Sequence, residues 1–245
     1  MDSKNFYNTI SPFYDKMIDF NKNLDLRISA YKNIFPNKVK IADVGCGTGL
    51  DSIALLKNGH KVRSYDISPE MIKTAKHISH NYNVKISAQV GSFSEAASRS
   101  TYDAIISVGN TIAHLNKKEL DEALGNCYKG IKPGGQLFLH ILNYNLIRKE
   151  NKRINNIAVK DNLAIIRLYD FFKDDIGFNI LSFPLDKPKE FTVVSTTHYP
   201  HTSQYILQLL RKNGFEKVRL GGNFELKNYD EDKSKDLFIL AERSF

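Results

Sequence analysis

Cysteine is scarce in this chain: Cys46 and Cys127 are its only two among 245 residues. So distant a pair offers neither a zinc-ligand spacing nor a disulfide framework, and a reducing, cytoplasmic setting is expected. Long apolar runs are missing as well. No stretch reaches the roughly 18 residues a spanning helix requires. The first residues, MDSKNFYNTI, contain no basic segment leading into an apolar run, so no secretory signal is expected. There is no internal repeat and no low-complexity tract. No serine–histidine–aspartate triad and no paired histidine–glutamate ligand pattern is visible, so neither hydrolytic nor metal chemistry is expected. Acidic residues are in deficit: 27 against 35 basic ones, a net charge of +8 and an isoelectric point near 9.2. A basic surplus can draw nucleic acid or anionic substrates. Here the lysines and arginines are dispersed, and the aromatics follow core periodicity instead of interleaving with a basic stripe. A solvated lysine-rich surface is the plainer expectation, and nucleic acid is a possible partner but not the favoured one.

What is present is an ordinary globular composition, 42% hydrophobic and 25% charged with mean hydropathy −0.36. The length allows one elaborated domain as readily as two, and suffices to bury a core. Residues 3–35 carry apolar side chains at helical spacing, ending at Pro36-Asn37. Strand-like and helix-like runs then alternate: strands at 39–44, 61–66, 84–90, 102–108 and 136–142, helices at 50–58, 69–80 and 117–131. Ser68-Pro69 supplies an N-cap with proline in the first helical position. Such alternation predicts a parallel sheet covered on both faces. From 143 to 200 the pattern changes to β-leaning runs at 164–172, 178–183 and 191–197, expected to pair antiparallel. A helix at 202–213 and strands at 215–220 and 236–241 close the chain.

The sharpest signal is Asp43-Val-Gly45-Cys46-Gly47-Thr-Gly49-Leu50, between the first strand and its helix. Glycines there let a backbone approach a ligand closely and turn into the helix. A dinucleotide loop is spaced G-x-G-x-x-G; here Leu50 stands where the third glycine of that pattern belongs. Asp43 immediately before the loop would repel a pyrophosphate and suit a ligand bearing an ammonium and a sulfonium. At about 4 Å and an effective dielectric of about 20, that preference is worth roughly 4 kcal/mol. Asp66, at the tip of the second strand, can accept both hydroxyls of a ribose.

Together, Asp43–Leu55, Tyr65–Ala75, Tyr102–Leu115 and Lys132–Leu139 resemble the ordered motifs of class I S-adenosylmethionine-dependent methyltransferases. Within that superfamily, Gly109-Asn-Thr-Ile-Ala-His114-Leu115, Asn143-Tyr144, Arg27 with Tyr31-Lys32, and His198-Tyr199-Pro200-His201 look like the glycine N-methyltransferase and glycine/sarcosine group. The resemblance implies a Rossmann-like α/β fold: a mostly parallel seven-stranded sheet of order 3-2-1-4-5-7-6, its last strand antiparallel. It further implies a single domain with a helical cap (1–36), a cofactor-binding core (37–142), an antiparallel insert serving as substrate lid (143–200) and the remainder of the core sheet (201–245).

By the same resemblance, S-adenosyl-L-methionine is the cofactor and S-adenosyl-L-homocysteine the product. Gly45, Cys46, Gly47, Val108 and Gly109 would lie against its methionine part, and Asp43 would belong to the same site. Arg27 would pair with its carboxylate, Asp66 hold the ribose, and Ile67, Met71, Ser92 and Phe93 border the adenine. His114, Tyr14 and Asn110 would serve the transfer to a small acceptor, an amine nitrogen first. The plain alternatives are a structural histidine, a core tyrosine and a turn-capping asparagine. Methylation of RNA or protein, or cofactor binding without catalysis, are the alternative readings. The Asn/Asp-Pro-Pro-aromatic signature of amino methylation on adenine or glutamine is absent, as is a Pro-Cys nucleophile for cytosine. Leu142 stands where the glycine enzymes have a substrate-binding arginine, and leucine cannot clamp a carboxylate. A basic group would have to come from elsewhere, with Arg148, Arg153 and Arg167 as candidates. Oligomeric state is left open.

Overall fold

The computed structural model describes residues 1–98 and 102–244. The N-terminal stretch forms α1 (Ser3–Ile10), α2 (Tyr14–Ile18) and α3 (Phe20–Ile34). The helical stretch expected over 3–35 is interrupted twice: Pro12 falls in a tight turn at Ser11–Phe13, and Asp19 takes a left-handed φ of 52°. Strand and helix then alternate through β1 (Lys40–Val44), α4 (Leu50–Lys57), β2 (Lys61–Asp66), α5 (Pro69–Asn81), β3 (Ala88–Val90), α6 (Phe93–Ser98), β4 (Tyr102–Ser107), α7 (Lys117–Gly130) and β5 (Ile131–Leu142). Next come α8 (Tyr144–Glu150), β6 (Ile154–Lys160), β7 (Leu163–Phe171), β8 (Ile176–Pro184) and β9 (Thr192–His198). The chain ends with α9 (Ser203–Lys212), β10 (Phe215–Gly221) and β11 (Asp236–Arg243). Helix starts follow their chemistry: the Ser68 hydroxyl accepts from Met71 N, Thr202 from Tyr205 N, and Asn116 with Glu119 completes a capping box.

One sheet has seven strands in the order β10-β11-β5-β4-β1-β2-β3. Neighbours among β1 to β5 are parallel, whereas β11 runs antiparallel to both β5 and β10. Counting only these strands along the chain gives 3-2-1-4-5-7-6, as expected. The order reverses between β1 and β4, and the crevice outside their carboxyl ends is where open α/β sheets take ligands. Side chains alternate across the sheet. Leu137, Leu139 and Ile141 of β5 join one buried cluster with Leu120, Leu124, Ile206 and Leu210, while Phe138 joins the other with Leu24, Tyr31, Ile53 and Leu55.

The second sheet has four strands in the order β6-β7-β8-β9, every neighbouring pair antiparallel. Its inner face, with Ile165, Tyr169, Ile176, Phe178, Ile180 and Val194, shares a cluster with Phe6 and Ile10 of α1. The Phe6 and Phe178 ring centroids are 5.8 Å apart. Lys16 with Asp161 and Lys160 with Asp19 add ion pairs of 3.1 and 2.7 Å between α2 and the β6–β7 turn.

Among the strands, two expected ones differ in extent and one is new. The strand anticipated at 84–90 shortens to Ala88–Val90, because only those residues pair with β2, at the edge of the sheet. The fifth strand begins at Ile131 instead of 136: Gly134 takes a left-handed φ of 73°, and a register shift against Tyr102 and Ala104 absorbs the extra residues. The edge strand β6 was not anticipated; its sequence INNIAVK has little apolar alternation, and Ile157 and Val159 face outward and exposed.

Candidate active site

The loop after β1 turns on glycine. Gly45 has a φ of +78°, and a Cβ there would lie 2.3 Å from the Thr111 methyl; no L side chain fits. The Gly45 and Cys46 N–H groups donate to the Tyr65 carbonyl at 2.8 and 2.9 Å, tying the loop to the end of β2. There the Asp66 carboxylate accepts from Gly47 N at 2.8 Å and Ser68 N at 2.9 Å, one bond on each oxygen. A carboxylate has about four lone-pair directions, so each oxygen retains one for a ligand. Burial raises the Asp66 pKa, and the backbone donors pull it back.

Facing this loop is the turn after β4. Gly109, φ +82°, has nothing within 4 Å of a notional Cβ. Its N–H donates to Nδ1 of His140 at 3.1 Å, and Nε2 of that ring lies 2.9 Å from Asp236 Oδ1. Because Nδ1 accepts, the ring proton sits on Nε2 and donates to Asp236. Asn110, φ 72°, is turned away from the crevice: its Oδ1 accepts from Leu142 N and its Nδ2 donates to the Tyr144 hydroxyl.

The N-terminal segment closes the crevice. His114 is held on both sides, by the Tyr7 hydroxyl at Nε2 (2.9 Å) and the Ser3 hydroxyl at Nδ1 (3.2 Å). Burial pushes its pKa down to about 4, so the ring is neutral near pH 7. Burial likewise raises the Tyr7 and Tyr14 phenols, which stay protonated. The His114 ring meets His198 of β9 edge-on at 4.7 Å. On the other flank, Arg27 Nε lies 3.0 Å from Asp51 Oδ1, which also accepts from the Tyr31 hydroxyl at 2.7 Å, and the guanidinium carbon sits 3.8 Å over the Phe224 ring.

Two adjoining cavities result. The larger, about 230 Å³, takes in Asp66, Ile67, Ser92 and Phe93 at one side and Tyr7, Thr111 and His114 at the other. The smaller, about 120 Å³, holds Arg27, Asp51, Asn23, Cys46 and Thr48. Tyr14, Gly45, Gly47, Val108 and Gly109 form walls of both. Twelve of the fifteen residues singled out from the sequence thus meet around one crevice. The other three, Asp43, Met71 and Asn110, line neither cavity. Asp43 lies beneath the loop, 1% exposed, taking the Ser52 hydroxyl at 2.5 Å; burial and the Asp51 charge push its pKa up to about 8. Charge preference at the crevice therefore falls to Asp66 and Asp51. Met71 packs into the core beside Tyr65 and Phe93. Tyr7, Thr111 and Asp51 are site residues that sequence reasoning missed. Thr111 lay inside the GNTIAHL segment, and Asp51 opened the helix after the glycines. For Tyr7, the apolar spacing of α1 gave no distinguishing sign.

Residues 41–135 match the methyltransferase domain family. Over 242 residues the chain is 26% identical to the glycine/sarcosine/dimethylglycine N-methyltransferase of Actinopolyspora halophila, covering 95% of this chain and 41% of that protein. It is 28% identical to the glycine/sarcosine N-methyltransferase of Halorhodospira halochloris, over 95% of this chain and 86% of that one. The chain thus spans about two-fifths of the first relative's length. The crystal structure of an S-adenosylmethionine-dependent methyltransferase from Clostridium acetobutylicum superposes with a TM-score of 0.78 at 18% identity, over 98% of this chain and 99% of that one. The fold is the Rossmann-like one of that structure.

Proposed function

We propose that this chain transfers a methyl group from S-adenosyl-L-methionine to the amine nitrogen of a small molecule, releasing S-adenosyl-L-homocysteine. One observation carries the reading: acceptors for a ribose and a charge pair suited to an amino-acid head group flank the same glycine-walled crevice. Asp66 has two free lone-pair directions for vicinal hydroxyls. The neighbouring Arg27 and Asp51 offer opposite charges, one for a carboxylate and one for an ammonium. Gly109 leaves open space where any side chain would intrude. Ile67 and Phe93 supply apolar surface for a purine.

The donor supplies a methyl already activated by its sulfonium leaving group. The protein's task is then to align the acceptor, strip its water and accept a neutral nucleophile. Tyr7, Tyr14 and His114 border the larger cavity as buried, uncharged polar groups. The burial that keeps His114 neutral also disfavours an ammonium, so the acceptor amine enters deprotonated. His114, hydrogen-bonded by Tyr7, is a neutral group positioned to orient the acceptor. The second sheet, packed over α1, serves as the lid of a single domain spanning 1–245. The two unpaired, buried cysteines fit a cytoplasmic location. Among the described residues no helix is long and apolar enough to cross a membrane. The relatives' N-methyltransferase names favour nitrogen over oxygen.

Calorimetry with S-adenosylhomocysteine and with a reduced nicotinamide dinucleotide, followed by product detection over a panel of small amines and phenols, tests the reading. Binding of the adenosyl ligand alone and turnover of an amine are expected. Preference for the dinucleotide removes the donor assignment; turnover of phenols only moves the acceptor to oxygen.

A further inference from the structure

An antiparallel sheet that packs one face on a core ordinarily turns polar side chains to water on the other. The second sheet does not. Residues two apart on a strand share a face. On β7, Ile165 and Tyr169 are buried in the cluster with α1, while Ala164, Ile166 and Leu168 take the opposite face. The register carries that outer face across all four strands. Ile157 of β6 stands opposite Ile166, Ile166 opposite Leu181 of β8, and Leu181 opposite Val193 of β9. A second row joins Val159, Ala164 and Phe183, and Phe191 lies two residues before Val193. Ile157, Val159, Phe191 and Val193 are 61%, 55%, 61% and 54% exposed, and Ile166, Leu181 and Phe183 are partly exposed between them. The one charge at these outward strand positions is Asp170, at the far end of β7. It is already held by Arg153 and by Asn179, whose own side-chain oxygen takes the Ser195 hydroxyl at 2.6 Å.

We propose that a second copy of this chain covers the outer face of the second sheet, making the protein a two-fold dimer through these sheets. Charge selects that occupant. A two-fold contact sets a patch against itself, so like charges within it would repel, and the apolar rows bring none. An anionic membrane or a nucleic acid needs cations at the contact, and none of the chain's 35 basic residues stands in these rows. Area points the same way. The apolar side chains of this face leave roughly 500–600 Å² exposed, the upper end of what a monomer tolerates in one patch. Two such faces with their rims remove on the order of 1,200 Å² from water, where specific interfaces begin. Sheets stacked face to face lie about 10 Å apart with their side chains interdigitated. Because the inner face rests on α1, the pairing braces the lid from behind. It does not depend on the donor assignment.

Sedimentation velocity on the full chain tests the proposal. At micromolar concentration the wild type is expected at twice 27.9 kDa, and a chain carrying both Ile157→Lys and Val193→Lys at 27.9 kDa. Both sites face water in the single chain, so the variant should keep the wild-type circular dichroism. A monomeric wild type overturns the proposal; flotation of that monomer with phosphatidylserine vesicles identifies a lipid surface as the occupant instead. A folded variant that stays dimeric also overturns it, since the copies then meet elsewhere. Should the variant fail to fold, hydroxyl-radical footprinting of the wild type decides. Phe191 and Phe172 are 61% and 57% exposed in the single chain, and Phe172 lies past the polar end of the sheet. Phe191 should be oxidised severalfold more slowly than Phe172, and equal rates overturn the interface. Failure of the wild type to bind S-adenosylhomocysteine is a separate result, which removes the methyltransferase reading and leaves this one standing.

Discussion

Asp66 is a scaffold first, and the proposed ribose contact builds on that. Its bonds from Gly47 N and Ser68 N fix the plane of the group before any ligand arrives. The remaining lone pairs then point where β2 ends, with no side-chain entropy left to lose. Asp66→Ala removes two charge-assisted bonds to ligand hydroxyls, each worth about 1.5–3 kcal/mol. S-adenosylhomocysteine should bind more than about tenfold more weakly by calorimetry; unchanged affinity would take Asp66 out of the site. The place of Asp66 at the crevice was legible from its distance to the glycine loop. The direction taken by Asp43 was not, because a strand-end residue can face the loop or the helix behind it. Here Ser52, in the first turns of α4, captures it. This capture has a pH signature. Asp43 keeps its proton up to about pH 8 in the native state, whereas an unfolded aspartate loses it near pH 3.9. Between those limits the native state binds the extra proton, so this group makes stability fall as pH rises. From about pH 6.5 to 8, above the ordinary histidine range, the urea midpoint of the wild type should decline. Asp43→Asn should flatten that decline; an identical slope in both proteins would mean that Asp43 is ionised throughout.

At the scale of elements, the crevice is made by strand ends held from behind. The turn after β4 is held in place by β5 and β11 through the chain Gly109 N to His140 to Asp236. His140 also stacks on Phe238 at 4.4 Å, which keeps the ring from turning. His140→Leu keeps the volume but leaves the Gly109 N–H without its acceptor. Loss of such a bond costs about 1–3 kcal/mol, and donor affinity should fall roughly fivefold to a hundredfold with the fold retained, as read by calorimetry and circular dichroism. Equal affinity would show that the turn needs no such support. This clamp was invisible in the sequence, since nothing in Gln136–Leu142 distinguishes the strand's histidine from its apolar neighbours. The strand that bears the glycine loop was legible because it is a short apolar run ended by glycines, and the strand that bears Asp66 because it follows the first helix and its closing Gly59. Strand β6 was not, because an edge strand with one exposed face needs few apolar residues. The boundary at Ile131 was missed because Lys-Pro-Gly-Gly reads as a turn. Here the register shift between β4 and β5 accommodates those residues within the strand.

Across the whole molecule, the core sheet carries the proposed donor site and the second sheet covers it, with α1 wedged between. Phe6 and Ile10 of α1 are fully buried among side chains of both sheets, and Tyr7 and Tyr14 from the same segment reach the crevice. A donor held there touches the glycine loop, the β4 turn and this segment together. Its binding energy therefore adds to the stability of the native state as a whole. A ligand at about a hundred times its dissociation constant contributes roughly 2.7 kcal/mol. For a chain of this size each kcal/mol raises Tm by about 2–4 °C, so saturating S-adenosylhomocysteine should raise Tm by roughly 5–10 °C. A reduced nicotinamide dinucleotide should give no shift, because its pyrophosphate would face Asp66 and Asp51 without a compensating cation on the loop. A scan in which the dinucleotide stabilises the protein as much as the adenosyl ligand would show that these two carboxylates do not set the charge preference of the crevice.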